Sequence, residues 1–180
     1  MDIVAHTLRA AAGATVIHRR RPLSRVTIIA TLVLAALADV LHLLPIGAWW
    51  IFADGTFAAL RGHAVAIPGQ EPGMPPIVQF FSHNLHCVMH SAPIAGFVTV
   101  VTWMVRRTLW LPLLGWWSHI VIDVFTHSAD YYAVPVLYPF TERGFDGVAW
   151  ITPWFMALNY TALVAVGAWL LMTRKRSSCS

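Results

Sequence analysis

Charge is what this sequence has least of: 11% of its 180 residues are Asp, Glu, Lys or Arg, against 58% hydrophobic. A soluble domain is ordinarily about one-quarter charged, so the chain is too apolar for that class. Cysteine is also scarce. Cys87 and Cys179 sit in unlike contexts and form no spacing motif, so no disulfide is expected. No nucleophilic Ser or Cys motif is present, which argues against covalent catalysis. A secretory leader is not expected either. In residues 1–17 the apolar part precedes the basic cluster, and no small-residue cleavage site is evident.

The net charge of +4 invites a nucleic-acid reading, but the placement of the basic residues excludes it. They cluster at the ends of apolar runs: Arg19, Arg20, Arg21 and Arg25; Arg106 and Arg107; Arg174, Lys175 and Arg176. That is the signature of cytoplasmic loops in a membrane protein. The opposite side then receives Asp54, Glu71, Asp130, Glu142 and Asp146, with only Arg61 and Arg143. The lipid bilayer is the expected partner.

The apolar runs predict an all-α polytopic transmembrane bundle in one domain, with spans at about 26–45, 77–105, 109–127 and 148–172. A short N-terminal span at about 2–17 joins them, a segment that could instead lie at the interface or re-enter. Outer loops are expected at 46–76 and 128–147. The first opens on the aromatic anchor Trp49-Trp50-Ile51-Phe52 and ends in a helix-breaking Pro/Gly run, and Pro93 is expected to kink the 77–105 span. Gly167 and its alanine neighbours permit close contact along the last span without demanding it.

Within the run from Trp116 to Phe140, His119, Asp123 and His127 recur every four residues. On a helix each such step turns about 40° and rises about 6 Å, which places the three on one stripe. Ionisable groups at membrane depth are costly and face a cavity or a partner. His83, His86 and His90 fall within about 60° of one another on their own helix. Asp39 and His42 lie near the outer end of the second span, and His6 in the outer half of the first. Four segments thus bring His or Asp to one level of the membrane. A single His/Asp pair is a weak sign of metal, and a lone membrane histidine is more often hydrogen-bonded structure; convergence shifts that balance. Histidine with carboxylate suits zinc, and also manganese or iron, as one or two ions. Heme ligation is the competing reading, with carboxylates so near the histidines counting against it. His18 and His63 read as an end residue and a loop residue without a role, and Trp116 and Trp117 as packing. Asp130, Glu142 and Asp146 read as solvated loop charges, any of which could reach over the site as a base.

At these residues the chain resembles the YdjM-type family of inner-membrane proteins, described as membrane-bound metal-dependent hydrolases. The likeness covers most of the chain. It runs through Met1-Asp-Ile-Val-Ala-His6, Ala36-Leu-Ala-Asp39, His90-Ser91, His119-Ile-Val-Ile-Asp-Val-Phe-Thr-His127, Pro135-Val-Leu-Tyr-Pro139 and Phe145-Asp-Gly147. It implies metal ligands at His6, Asp39, His90, His119 and Asp123, with His127 added. Two departures stand out: Ala38-Asp39 replaces the family's Pro-Asp, and Leu-His-Cys-Val-Met-His-Ser at 85–91 replaces a His-Arg-Gly-x-Thr-His-Ser pattern. His86 keeps its candidacy through the stripe. The His-x-x-x-Asp element is also similar to zinc-dependent phospholipase C and nuclease sites, by analogy only.

The expected protein is therefore a zinc-dependent hydrolase of the inner membrane, with its C-terminus cytoplasmic and its metal site toward the outer face. Its substrate would be a lipid-linked ester or phosphoester, with Asp130 or Asp146 as general base. The alternative is a non-enzymatic metal-binding membrane protein serving transport, sensing or structure. A closed four-ligand shell would favour that alternative, and an open position would favour catalysis.

Overall fold

A computed structural model describes residues 1–65 and 67–177, and of residues 174–177 the backbone alone. The described residues form eight helices and no strand: α1 Ile3–Arg20, α2 Arg25–Leu41, α3 Leu44–Phe52, α4 Phe57–Ala64, α5 Pro76–Met89, α6 Ala92–Arg106, α7 Leu113–Thr126 and α8 Pro153–Ser177. The all-α class agrees with the sequence; of the expected spans, the described helices show one complete in a single helix. Among the described residues only α8, over Pro153–Thr173, is by itself long and apolar enough to cross a membrane. The pairs α2–α3 and α5–α6 reach that length together, each bent by 63° at its break.

Proline explains both breaks. Pro45 and Pro93 stand in the first turn of α3 and α6, where a missing N–H costs nothing. Carried into a continuous helix, each ring would collide with the carbonyl four residues back, Leu41 or Met89. Pro93 therefore ends α5 outright, more than the kink expected of it. The predicted 46–76 loop contains α4 and most of α3. The predicted 109–127 span contracts to the 14 residues of α7, roughly 21 Å of helix against a bilayer core of about 30 Å. The last helix starts at Pro153, five residues later than expected.

Helix α2 lies at the centre, packed against α1, α5 and α7, while α8 packs on α1. Tyr160 donates to Asp2 Oδ1 (2.8 Å) at one end of the α1–α8 pair, and Arg19 reaches Thr173 Oγ1 (2.6 Å) and the Leu170 carbonyl at the other. The two helices therefore run parallel. Arg106 lines the same cavity as Pro22 and Ser24 of the α1–α2 turn and Thr27 in the first turn of α2. The basic clusters of the sequence thus gather at one end of the bundle, with His18 among them, and His6, His90, His119 and His127 lie toward the other. Cys87 is buried and free; Cys179 lies outside the described residues.

Candidate metal centre

The centre forms where α2 and α7 come closest. Gly115 makes that contact possible: a Cβ there would stand 2.1 Å from the Thr31 carbonyl oxygen and 3.2 Å from Ala35 N. Ala35 and Ala38 are fully buried in the same seam. With the helices this close, the Ala35 carbonyl accepts a bond from His119 Nδ1 (2.8 Å), and Asp39 one turn further faces the same ring.

His90 comes from the break between α5 and α6, as the capping residue of α5. A buried helix end must find protein partners for its open carbonyls. His90 Nδ1 donates to the His86 carbonyl (2.8 Å), and Trp116 Nε1 donates to Met89 O (2.6 Å), the carbonyl that Pro93 displaces. Ser91 caps α6 through Ile94 N (3.1 Å) and donates to Tyr138 O, while Ala92 N binds Val136 O (2.9 Å). The expected packing role of Trp116 therefore includes a specific donor role. At the end of α7, residues 147–150 return as a strap. Gly147 N, Val148 N and Trp150 N bind the carbonyls of His127, Phe125 and Thr126 at 2.8–3.0 Å. Gly147 is needed there, because a Cβ would lie 2.5 Å from Phe125 O.

The result is a buried group of Asp39, His90, His119 and Asp123, whose ligand atoms all lie within 4.8 Å of one another. A carbonyl only accepts, so Nδ1 carries a proton in both His90 and His119, and each ring turns its Nε2 inward, which in the neutral ring is a lone pair. These two nitrogens are 3.1 Å apart. They stand 3.4 and 3.1 Å from Asp123 Oδ2, and 3.7 and 3.5 Å from Asp39 Oδ1. Ligand bonds of about 2.0–2.1 Å set tetrahedral edges of roughly 3.3 Å, and the five separations bracket that value. Asp123 Oδ2 and Asp39 Oδ2 are buried without any donor. Two carboxylates and two lone pairs converging in a buried space repel one another, and a cation between them removes the conflict. The cluster can therefore hold a metal ion.

Around it stands a supporting ring. Asp123 Oδ1 accepts from His6 Nε2 (2.8 Å), Thr126 Oγ1 (3.3 Å) and the Met1 nitrogen (2.5 Å), which leaves only Oδ2 facing the group. The His6 ring stacks on His119 with centroids 3.9 Å apart. His127, just past the end of α7, donates from Nδ1 to Tyr132 O (2.9 Å) and aims Nε2 at the Met1 nitrogen (3.0 Å) and at Asp123 Oδ2 (3.8 Å). Of the seven candidate ligands, four meet in one group, and His6 and His127 buttress Asp123. His86 is one layer out, its ring 4.2 Å from His90 and 5.7 Å edge-on from His42.

The loop candidates sit elsewhere. Asp130 is solvent-exposed, and Asp146 Oδ1 accepts from Ala129 N (2.8 Å). His83 is exposed beside Glu142 (3.8 Å). His18, read as a residue without a role, takes a bond from Leu23 N (2.9 Å) and closes the α1–α2 turn. Tyr132 donates to Glu71 Oε1 (2.6 Å), pinning the 128–147 loop to the preceding one. This bond holds the Glu71 carboxyl below its usual value, while burial and then Glu71 push the Tyr132 phenol up. The Ala35 carbonyl, Thr126 and the Trp116–Met89 bond carry no sequence motif and could not be found from spacing.

No family model matches the chain, and neither a curated protein nor a solved structure resembles it.

Proposed function

We propose that the protein is a multi-pass membrane hydrolase holding one divalent ion, zinc by ligand chemistry, between Asp39, His90, His119 and Asp123. One observation carries this: two inward imidazole nitrogens converge on Asp123 Oδ2 and Asp39 Oδ1, and both carboxylates keep a buried oxygen, Oδ2 in each, that has no donor. Tetrahedral spacing of nitrogen and oxygen ligands suits zinc better than manganese or iron. A second ion would have to displace the donors on Asp123 Oδ1, so a single ion is the simpler arrangement. The membrane assignment is supported by α8, by the two bent pairs and by apolar residues exposed along α6 and α8. The basic end would be cytoplasmic and the metal centre would lie toward the outer face of the inner membrane.

Hydrolysis is favoured by the unequal burial of the ligands. His90, His119 and Asp123 are at most 1% exposed, whereas the Asp39 side chain is 18% exposed and has the longest separations. Three enclosed ligands with one at the mouth leave a side from which water and substrate can approach. When bound, a divalent ion supplies Lewis acidity toward a scissile carbonyl or phosphoryl group and brings the pKa of a coordinated water toward neutrality. The Asp39 carboxylate, the ligand nearest the mouth, would take the proton of that water, a role that replaces the one expected of Asp130 or Asp146. His6 fixes the plane of His119, and the donors on Asp123 Oδ1 keep Oδ2 inward. An ester or phosphoester borne by a lipid would arrive from the outer end of the bundle.

The even separations also suit a closed, non-catalytic shell, the second reading. Bis-histidine heme ligation fits less well, since axial nitrogens stand roughly 4 Å apart across a macrocycle and these stand at 3.1 Å. The deciding experiment compares wild type with Asp39→Asn for zinc content and for hydrolysis of lipid ester and phosphoester panels. Catalysis predicts a zinc-loaded, active wild type and a variant that still binds zinc but loses about 10²–10⁴-fold in rate. A zinc-loaded wild type inert on every panel would support the closed shell.

A further inference from the structure

Arg9 lies in α1, one turn after His6, and is only partly buried. Its guanidinium reaches Asn159 Oδ1 of α8 and the Met1 sulfur, and among the described residues it makes no ion pair with a carboxylate. That is unusual for an arginine in a helix that lines an apolar bundle, where charges pair with one another or mark a ligand path. Two of its five N–H donors are engaged, and the planar fork matches the oxygens of a phosphate. Met1 touches both Asp123, through its nitrogen, and Arg9, through its sulfur, so Arg9 lies within one methionine's length of the metal centre.

From Arg9 a groove of about 160 Å³ runs between α1, α2 and α7, away from the centre. Its wall includes Ala10, Gly13, Ala14, Ile17, Leu114 and Gly115. Apart from Arg9 it carries no charged side chain. The walls are small and mostly aliphatic, and the two hydroxyls among them, Thr31 and Ser118, donate to carbonyls of their own helices, which suits an alkyl chain more than a headgroup.

We infer that Arg9 and this groove form the binding site for a phosphate-bearing lipid: the guanidinium holds the anionic group and the α1–α2–α7 groove takes the first part of an alkyl chain. Charge and shape together define the occupant, because a neutral lipid leaves the remaining guanidinium donors unused and a free phosphate leaves the groove empty. The inference rests on the hydrolase reading for its purpose, since it names that enzyme's substrate class, but its test is a binding measurement.

Gly13 offers a clean probe. A Cβ there meets nothing within 4 Å, and Gly13 lines the groove, so Gly13→Leu places an aliphatic side chain where the alkyl chain would lie. The experiment measures binding of dioctanoyl phosphatidate, dioctanoylglycerol and inorganic phosphate to detergent-purified wild type, Arg9→Gln, Arg9→Lys and Gly13→Leu. Zinc content and hydrolysis are recorded on the same samples. Wild type should prefer phosphatidate over dioctanoylglycerol by tenfold or more. Arg9→Gln should erase that preference, and Arg9→Lys should restore it in part. Gly13→Leu should weaken phosphatidate binding tenfold while leaving that of inorganic phosphate unchanged. Equal affinity for the charged and neutral lipids in wild type overturns the inference, as does a preference that survives Arg9→Gln or a Gly13→Leu variant that binds phosphatidate normally. Arg9-dependent binding by a zinc-loaded protein that hydrolyses no lipid removes the hydrolase reading alone. Hydrolysis that persists without Arg9-dependent binding removes this one alone.

Discussion

Replacing Gly115 with alanine tests whether close approach of α2 and α7 builds the metal centre. The added Cβ would sit 2.1 Å from Thr31 O and 3.0 Å from the Thr31 carbonyl carbon, both backbone atoms that no rotamer change can move. Ordinary contact begins near 3.4 Å, so the helices must part by more than 1 Å. At that separation the 2.8 Å bond from His119 to Ala35 O is lost, and the His119–Asp39 edge of 3.5 Å opens well beyond tetrahedral reach. Overpacking of this kind costs about 1–3 kcal/mol, and the lost hydrogen bond costs about 1 kcal/mol more. Loss of a bond that orients a ligand typically lowers metal affinity by about 10–100-fold. Competition with a zinc chelator gives the affinity, and thermal unfolding in detergent gives the stability. Gly13→Ala is the control: with open space around its Cβ it should be neutral or stabilising by up to about 1 kcal/mol. A Gly115→Ala protein that unfolds like wild type and binds zinc as tightly would refute the account of how α2 and α7 place their ligands.

Asp123→Ala should abolish zinc binding and destabilise the fold by about 3–5 kcal/mol, because His6 and the Met1 nitrogen lose their buried acceptor; unfolding with and without chelator separates the two effects. Trp116→Phe keeps the apolar ring but leaves Met89 O without its donor. It should cost about 1–3 kcal/mol in unfolding free energy with zinc content nearly unchanged. Chelation of wild-type protein should lower its melting temperature and restore the repulsion between Asp39 and Asp123, whereas an Asp39→Asn/Asp123→Asn protein should not respond to chelator. The Tyr132–Glu71 bond has a pH signature. The folded carboxyl is held below its unfolded value, so the stabilisation is fully present at neutral pH and is lost as pH falls through the depressed value. Proteolysis of the 128–147 loop should therefore accelerate in acid, and Tyr132→Phe should be susceptible already at pH 7.

Much of the centre was legible because helical period is a rigid ruler. The i, i+4 step places His119 and Asp123 on one face whatever the surrounding fold. The ruler reached less far at His127, which lies just past the end of α7 and meets Asp123 only at 3.8 Å, and at His83, which shares the His90 stripe but lies two turns away along α5, exposed beside Glu142. Hydropathy found the apolar segments but not the bends, because a window average blends α5 and α6 across Ser91. A proline near the middle of an apolar run was the available sign, and it marks a break where a kink was expected. The orienting bonds to Ala35 O and His86 O were beyond sequence reading, since backbone acceptors leave no trace in residue identity. The candidate bases in the 128–147 loop show the opposite failure. An acidic residue near a site in sequence need not approach it, and Asp146 instead bonds the backbone of its own loop.

The central claim is that Asp39, His90, His119 and Asp123 surround one divalent ion, and X-ray absorption of the purified, zinc-loaded protein tests it most directly. The account predicts about one zinc per chain with nitrogen and oxygen neighbours only, four or five of them at about 2.0–2.2 Å, and an imidazole signal from two histidines that disappears in a His90→Ala/His119→Ala protein. Sulfur in the first shell, six-coordinate zinc, or an unchanged spectrum in the double variant would place the ion elsewhere and contradict it.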